Sequence, residues 1–319
     1  MTHTEHHPTR IAIVGAGNVG ATFAYALTLS GLASEIVLID RNRAKAEGEV
    51  MDLNHTVPLT QAAPRIWAGD YADCAGAVVT VVTAGSAQRP GETRLDLAQR
   101  NVDIMKGIIP QIVEHNPNGI ILMTTNPVDV LTYAAIKLSG LPRQRVIGSG
   151  TILDTARFRY LLSQHFGVDP RSVHAYIIGE HGDSEVPVWS LANIAGMRLP
   201  EFCQANGMGC DMDALQPIFK ETVSAAYQII ERKGATYYAI GTGLLRLVEA
   251  ILRDQNTVLS ISSLIDGYYG IQDVCLSLPS VVDRGGVERA ISLDLDAAEI
   301  AGLRKSAEVL RATLAKLNF

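Results

Sequence analysis

A chain of 319 residues, 47% hydrophobic and 19% charged, is long enough for two cores of ordinary size and too apolar to stay disordered. A net charge of −6, with no basic stripe, argues against a nucleic-acid binder. No apolar run reaches the roughly 18 residues of a membrane span. Residues 1–9, with His3, His6 and His7, read as a disordered or extended tail without an apolar signal core, which points to the cytoplasm. Cys74, Cys203, Cys210 and Cys275 are scattered without a C-x-x-C pair and read as free thiols of a reducing compartment.

In chain order, Arg10–Val14 reads as a buried strand, followed by a glycine turn and a helix through Tyr25 to Ser30 that Gly31 stops. Glu35–Asp40 is a second strand, and Arg43–Leu53 a polar helix. Ala77–Val82 and Gly119–Thr125 are continuous apolar runs, as expected of strands buried on both faces in a parallel sheet. Alternating strand and helix predict an α/β fold, a Rossmann-type doubly wound sheet over 10–149 with its ligand at the carboxyl ends of the strands. Beyond a tight boundary near Val146–Thr151 the rhythm changes. Helices over Leu153–Phe166 and Ile218–Leu252, and strands at His174–Ile178, Val258–Ser262 and Val274–Val282, predict an α+β domain over 150–319. Its last helix begins at the cap-like Asp296-Ala-Ala-Glu299.

Four groups of residues carry chemistry. Gly15-Ala-Gly17-Asn18-Val19-Gly20 follows the first strand, where glycines permit a tight turn, close approach of a pyrophosphate and close helix packing. Asp40, at the end of the second strand, is placed to bond both ribose hydroxyls, which favours NAD over NADP; capping the next helix is its alternative use. Asp154 and Arg157 share a helix face, so Arg157 can grip a substrate carboxylate while Asp154 can fix the tautomer of a histidine; a local surface ion pair is the alternative use of this spacing. That histidine is His181 in Gly179-Glu-His-Gly-Asp183, an imidazole able to give and take a proton near neutral pH. Residues 84–94, rich in Gly and Pro, predict a lid loop at the ligand edge, with Arg94 near its end to polarise a carbonyl. Asn126, beside Pro127, is either a hydrogen-bond donor to ligand or a plain turn residue.

These stretches, with Gln88-Arg-Pro-Gly-Glu-Thr-Arg94, Gly148–Arg159 and Lys233-Gly-Ala-Thr-Tyr-Tyr238, resemble the L-lactate/malate dehydrogenase family over nearly the whole chain, and most closely its bacterial L-lactate branch. The resemblance implies NAD-dependent reduction of pyruvate, with His181 as acid/base, Asp154 its partner, Arg157 the carboxylate anchor and Arg94 the lid cation. It places Asn126 near the reacting oxygen and Thr236 against the small substrate side chain, and NAD on Gly15, Gly17, Asn18, Val19, Gly20, Asp40, Ala84, Gly85 and Asn126. The malate branch typically has arginine at the position of Gln88; a neutral Gln88, with Glu92 adding negative charge, is expected to disfavour a dicarboxylate. Arg159 and His174 match positions where allosteric members bind fructose 1,6-bisphosphate across a subunit interface, and the family implies a homotetramer.

Three rival readings are a malate or other 2-hydroxy acid dehydrogenase, a short-chain dehydrogenase built on Tyr133-x-x-x-Lys137, and a non-enzymatic NAD-sensing protein. No metal is expected, since His and Cys form no H-E-x-x-H or C-x-x-C pattern.

Overall fold

The computed structural model describes residues 9–87, 91–209 and 211–319. Strand β1 (Arg10–Val14) turns into α1 (Asn18–Ser30), which ends as expected at Gly31 in the left-handed conformation (φ 66°). There follow β2 (Glu35–Ile39), α2 (Arg43–Thr56), β3 (Arg65–Ala68), β4 (Ala77–Val82), α3 (Arg94–His115), β5 (Ile120–Met123), α4 (Val128–Ser139) and β6 (Val146–Gly148). The six strands pair in parallel in the order β3-β2-β1-β4-β5-β6, the doubly wound arrangement that opens a crevice at the carboxyl ends of β1 and β4. β3 escapes a sequence reading because it is only four residues long, and its apolar stretch Ile66-Trp67-Ala68 is too short to show a strand pattern.

The second half begins with α5 (Ile152–Phe166) and five two-residue strands, β7 (Val173–His174), β8 (Ile177–Ile178), β9 (Val186–Pro187), β10 (Asn193–Ile194) and β11 (Met197–Arg198). Helices α6 (Leu199–Ala205), α7 (Met212–Lys233) and α8 (Tyr238–Leu252) lead to β12 (Thr257–Asp266), β13 (Gln272–Asp283), β14 (Gly286–Ala290) and α9 (Ala297–Leu314). The expected strand 174–178 is two strands in different sheets, β7 pairing with β10 and β8 with β9. The expected helix 218–252 is broken: Gly234 takes φ 84° and ends α7, and α8 starts only at Tyr238. Both helices are amphipathic, so the apolar pattern runs across the break and hides it. β12 pairs antiparallel with β6 at Ser262 and Gly148, so the hairpins β12-β13-β14 extend the parallel sheet to nine strands.

Strand alternation divides the core. Ile11, Ile13, Ile36, Leu38, Val79 and Val81 meet Phe23 and Leu27 of α1 and Leu244 and Leu247 of α8 on one face. Val14, Val37, Ile39 and Val82 meet Val102 and Met105 of α3 and Leu131 of α4 on the other. A smaller core packs Phe158, Leu162 and Phe166 of α5 against Val173, Ile177, Ile194 and Leu199. Each fully buried Leu, Ile or Phe contributes about 1.5–3 kcal/mol by leaving water, which makes α5 a rigid platform for the side chains on its other face.

The expectation of four free thiols is corrected. Cys74 and Cys275 are free and buried, but Cys203 is disulfide-bonded, a pairing that the lack of a C-x-x-C motif does not exclude. Cys210 lies outside the described residues. Among the described residues no helix is long and apolar enough to cross a membrane.

Candidate active site

The loops leaving β1, β2, β4 and β5 converge above the sheet. Gly15 (φ 111°) donates its N–H to Ile39 O at 2.7 Å, and a Cβ there would lie 2.5 Å from the Ala84 nitrogen. A Cβ on Gly20 would lie 1.9 Å from Gly15 O, so only glycine lets α1 approach the turn. Gly17 faces open space and caps α1 without a side-chain acceptor, which leaves the Asn18, Val19 and Gly20 end of the helix to a ligand phosphate. Asp40 does not cap α2; that cap is Asn42. Instead Asp40 accepts the Ala16 N–H at 2.8 Å and the Asn42 N–H at 2.8 Å, tying the end of β2 to the glycine turn. Ala84 donates to Val14 O at 2.8 Å, and Gly85 packs where a Cβ would lie 2.1 Å from the Thr125 side chain.

The second cluster is set on α5 and the loop between β8 and β9. Asp154, in the first turn of α5, accepts from Arg157 Nη1 at 2.9 Å on Oδ1 and faces His181 Nδ1 at 2.5 Å on Oδ2. Its side chain is 4% exposed, that of Arg157 12% and that of His181 24%. Burial opposes the charge on Asp154, but His181 and Arg157 together hold its carboxyl below the usual range. Burial also disfavours an imidazolium, yet the charge and hydrogen bond of Asp154, then the charges of Asp129 and Glu185, overcome this and raise His181 to about 9. The backbone N–H of His181 donates to Asp129 Oδ2 at 2.7 Å, so the loop is held by α4 while the ring is held by α5. Asp154, His181 and Glu185 bring a nitrogen and two carboxyl oxygens within 4.8 Å of one another.

Arg94 is the first residue of α3, after a Thr93–Asp96 capping box, rather than part of the loop. Its Nη1 lies 2.7 Å from Asp183 Oδ2 and its Nη2 donates to the Tyr227 hydroxyl at 2.9 Å, which docks it on the loop of His181. Asn126 Oδ1 accepts the Val128 N–H at 3.3 Å, which commits the oxygen and keeps the amide group as a donor. Thr236 is half-buried in the break between α7 and α8. Arg159 donates from Nε to Ala175 O at 2.8 Å and stacks on Tyr176, next to the exposed His174. Gln88 and Arg89 lie outside the described residues. The charge expected of Glu92 is neutralised, because both its carboxylate oxygens are held by Arg100 two turns along α3. Tyr133 and Lys137 are both engaged by Asp273, with the Tyr133 hydroxyl 3.1 Å from its Oδ1.

Residues 9–148 match the model of the lactate/malate dehydrogenase NAD-binding domain, and residues 151–318 match that of the lactate/malate dehydrogenase alpha/beta C-terminal domain. The chain belongs to the lactate/malate dehydrogenase family. It is 52% identical to an L-lactate dehydrogenase of Thermoanaerobacter sp. (strain X514) over 97% of this chain and 99% of that one. It is 54% identical to an L-lactate dehydrogenase of Synechococcus sp. (strain JA-3-3Ab), again over 97% and 99%. The crystal structure of a minor L-lactate dehydrogenase from Enterococcus mundtii superposes with a TM-score of 0.95 at 41% identity, covering 98% of this chain and 99% of that one.

A lactate/malate dehydrogenase of this kind is an NAD-dependent oxidoreductase, and the glycine turn fits NAD: it is closed to any side chain at Gly15 and Gly20, open at Gly17, and flanked by the Asp40 carboxylate. Sequence reasoning missed several groups of this dehydrogenase. Asp129 looks like an ordinary first-turn acid of α4, and Glu185 like a loop charge before β9. Asp183 and Tyr227, which hold Arg94, lie 89 and 133 residues from it, a separation that no local pattern bridges.

Proposed function

We propose that this chain is an L-lactate dehydrogenase that reversibly reduces pyruvate to (S)-lactate. The observation that carries the reading is His181 Nδ1 on Asp154, with Arg157 on the other oxygen of the same carboxylate. NADH, when bound, supplies the hydride to the keto carbon. Because Nδ1 is taken by Asp154, Nε2 of His181 is the atom that gives its proton to the keto oxygen and takes it back from lactate. Asp154 stabilises the imidazolium and fixes the ring; Arg157 keeps further guanidinium donors for the substrate carboxylate. Arg94 and the Asn126 amide stabilise the developing alkoxide, and Gln88 and Thr236 select a small, singly charged keto acid. NAD is held by Gly15, Gly17, Asn18, Val19, Gly20, Asp40, Ala84, Gly85 and Asn126, with the NAD-binding and catalytic units dividing at residues 149 and 150. Replacing His181 by Asn is expected to abolish turnover in an NADH absorbance assay with pyruvate while NADH still binds; near-normal turnover would remove the assignment. Rates with oxaloacetate in the same assay separate the lactate from the malate reading.

The finer assignments follow from the same reading. The enzyme works as a homotetramer in the cytoplasm, where NADH and pyruvate meet, and closes glycolysis by fermentation to lactate. Fructose 1,6-bisphosphate activates it at Arg159 and His174 and their symmetry mates, since a guanidinium and an imidazole paired across a two-fold axis suit a phosphate. The contact of Arg159 with Ala175, next to His174, supports this placement. Pyruvate saturation curves unchanged by the sugar bisphosphate would exclude it.

A further inference from the structure

The loop between β8 and β9 brings two titratable side chains into one buried space. It leaves β8 at Gly179 (φ 89°), passes His181, and closes with the Glu185 N–H donating to Gly182 O at 3.3 Å before Val186 pairs with Ile178. Glu185 is therefore fixed at the base of the hairpin, only 7% exposed, and its Oε1 finds no hydrogen-bond partner among the described residues. A buried carboxyl with an unpartnered oxygen is a poor choice for packing, where a Met or Leu of similar volume costs less. Its surroundings are charged instead. Asp154 and Arg157 face it from α5, His181 and Asp183 from its own loop, and Asp129 lies on the α4 side of the same imidazole.

We propose that Glu185 is a positioning residue for the hydride-transfer reaction, acting through His181: its buried carboxyl, within 4.8 Å of both His181 and Asp154, adds to the negative charge that Asp154 and Asp129 place around the imidazole. The inference rests on His181 being the acid/base residue. While Glu185 keeps its proton it is neutral, and Asp154, followed by Asp129, holds the imidazolium. Burial, then the charge of Asp154, raises the carboxyl of Glu185 to about 8, into the alkaline range where His181 also titrates. Once ionised, its charge resists loss of the proton from Nε2 of His181. Pyruvate reduction keeps its acid form further into the alkaline range than the two aspartates would allow without Glu185.

The test compares the pH dependence of kcat for pyruvate reduction, at saturating NADH and pyruvate, in wild type, Glu185→Gln and Glu185→Met, with a histidine NMR titration of the same proteins. Either neutral side chain is expected to move the alkaline limb and the His181 titration down by about one pH unit, the effect of removing one nearby charge in a partly screened site. If only one of the two folds, it suffices. A limb and a His181 titration that stay in place, in a protein whose His181→Asn variant is inactive, overturn the role of Glu185 and leave His181 untouched. An active His181→Asn variant overturns the acid/base assignment itself. A merely structural Glu185 would lower melting temperature or overall rate without moving the titration.

Discussion

Replacing Asp154 by Asn removes a charge and keeps the volume, so it isolates what the aspartate does to His181. The imidazole holds its proton up to about 9 against the ordinary 6.5, a preference of about 3 kcal/mol. Burial of the ring works against that preference, and Asp154 is the leading attraction that overcomes it. With the attraction gone, the burial penalty faces only the weaker charges of Asp129 and Glu185, and His181 titrates at or below about 6.5. At pH 7.5 the imidazolium then falls from nearly every molecule to about one in ten. Loss of the fixed tautomer adds to this, for an expected fall of about 10²–10⁴-fold in kcat/KM for pyruvate. The assay is NADH oxidation from pH 6 to 10, with NADH binding followed by fluorescence as a control. Stability gives a second readout: a raised histidine contributes stability fully below pH 6.5 and loses it as pH climbs through about 9. The difference in melting temperature between wild type and Asp154→Asn should therefore shrink over that window. An alkaline limb that stays near 9 in Asp154→Asn would refute the reasoning.

Two further perturbations test the ends of the site. In Gly20→Ala the new methyl would sit 1.9 Å from the Gly15 carbonyl; α1 must shift away from the turn, and NADH binding should weaken at least about tenfold with a loss of about 1–3 kcal/mol in stability, both read from fluorescence titration and a urea melt. Arg157→Lys keeps the charge but loses the planar fork and the 2.9 Å bond to Asp154; KM for pyruvate should rise by about 30-fold, about 2 kcal/mol, while the dissociation constant of NADH stays within about threefold.

The nucleotide half was legible because its strands are apolar on both faces and its glycines are forced by close contacts that no other residue tolerates. The second half was less so. Strands of two residues such as β7 to β11 have no periodicity to read, and the helix break at Gly234 lies inside a continuous amphipathic pattern. His181, Asp154 and Arg157 announced their chemistry as residue types, which was enough to suggest that they meet across 27 residues of chain, but the family resemblance was needed to assign their roles. Glu92 misled for an electrostatic reason: a charge in sequence says nothing about its counter-ion, and Arg100 supplies one.

Three carboxyls from three elements surround one imidazole, Asp154 from α5, Asp129 from α4 and Glu185 from the loop itself, and their ionisation is staggered. Asp154 is held in its charged form, burial raises Asp129 to about 6, and Glu185 follows at about 8. At neutral pH the imidazole is therefore protonated in the free protein, the state that the proposed proton transfer to pyruvate requires. Lactate oxidation needs the opposite state, and with His181 at about 9 only about one molecule in a hundred has a neutral ring at pH 7. Its kcat/KM should then climb about tenfold per pH unit between 6 and 8 and level off beyond about 9. A flat profile across that range would mean that the charges around the ring do not control the direction in which the proton moves.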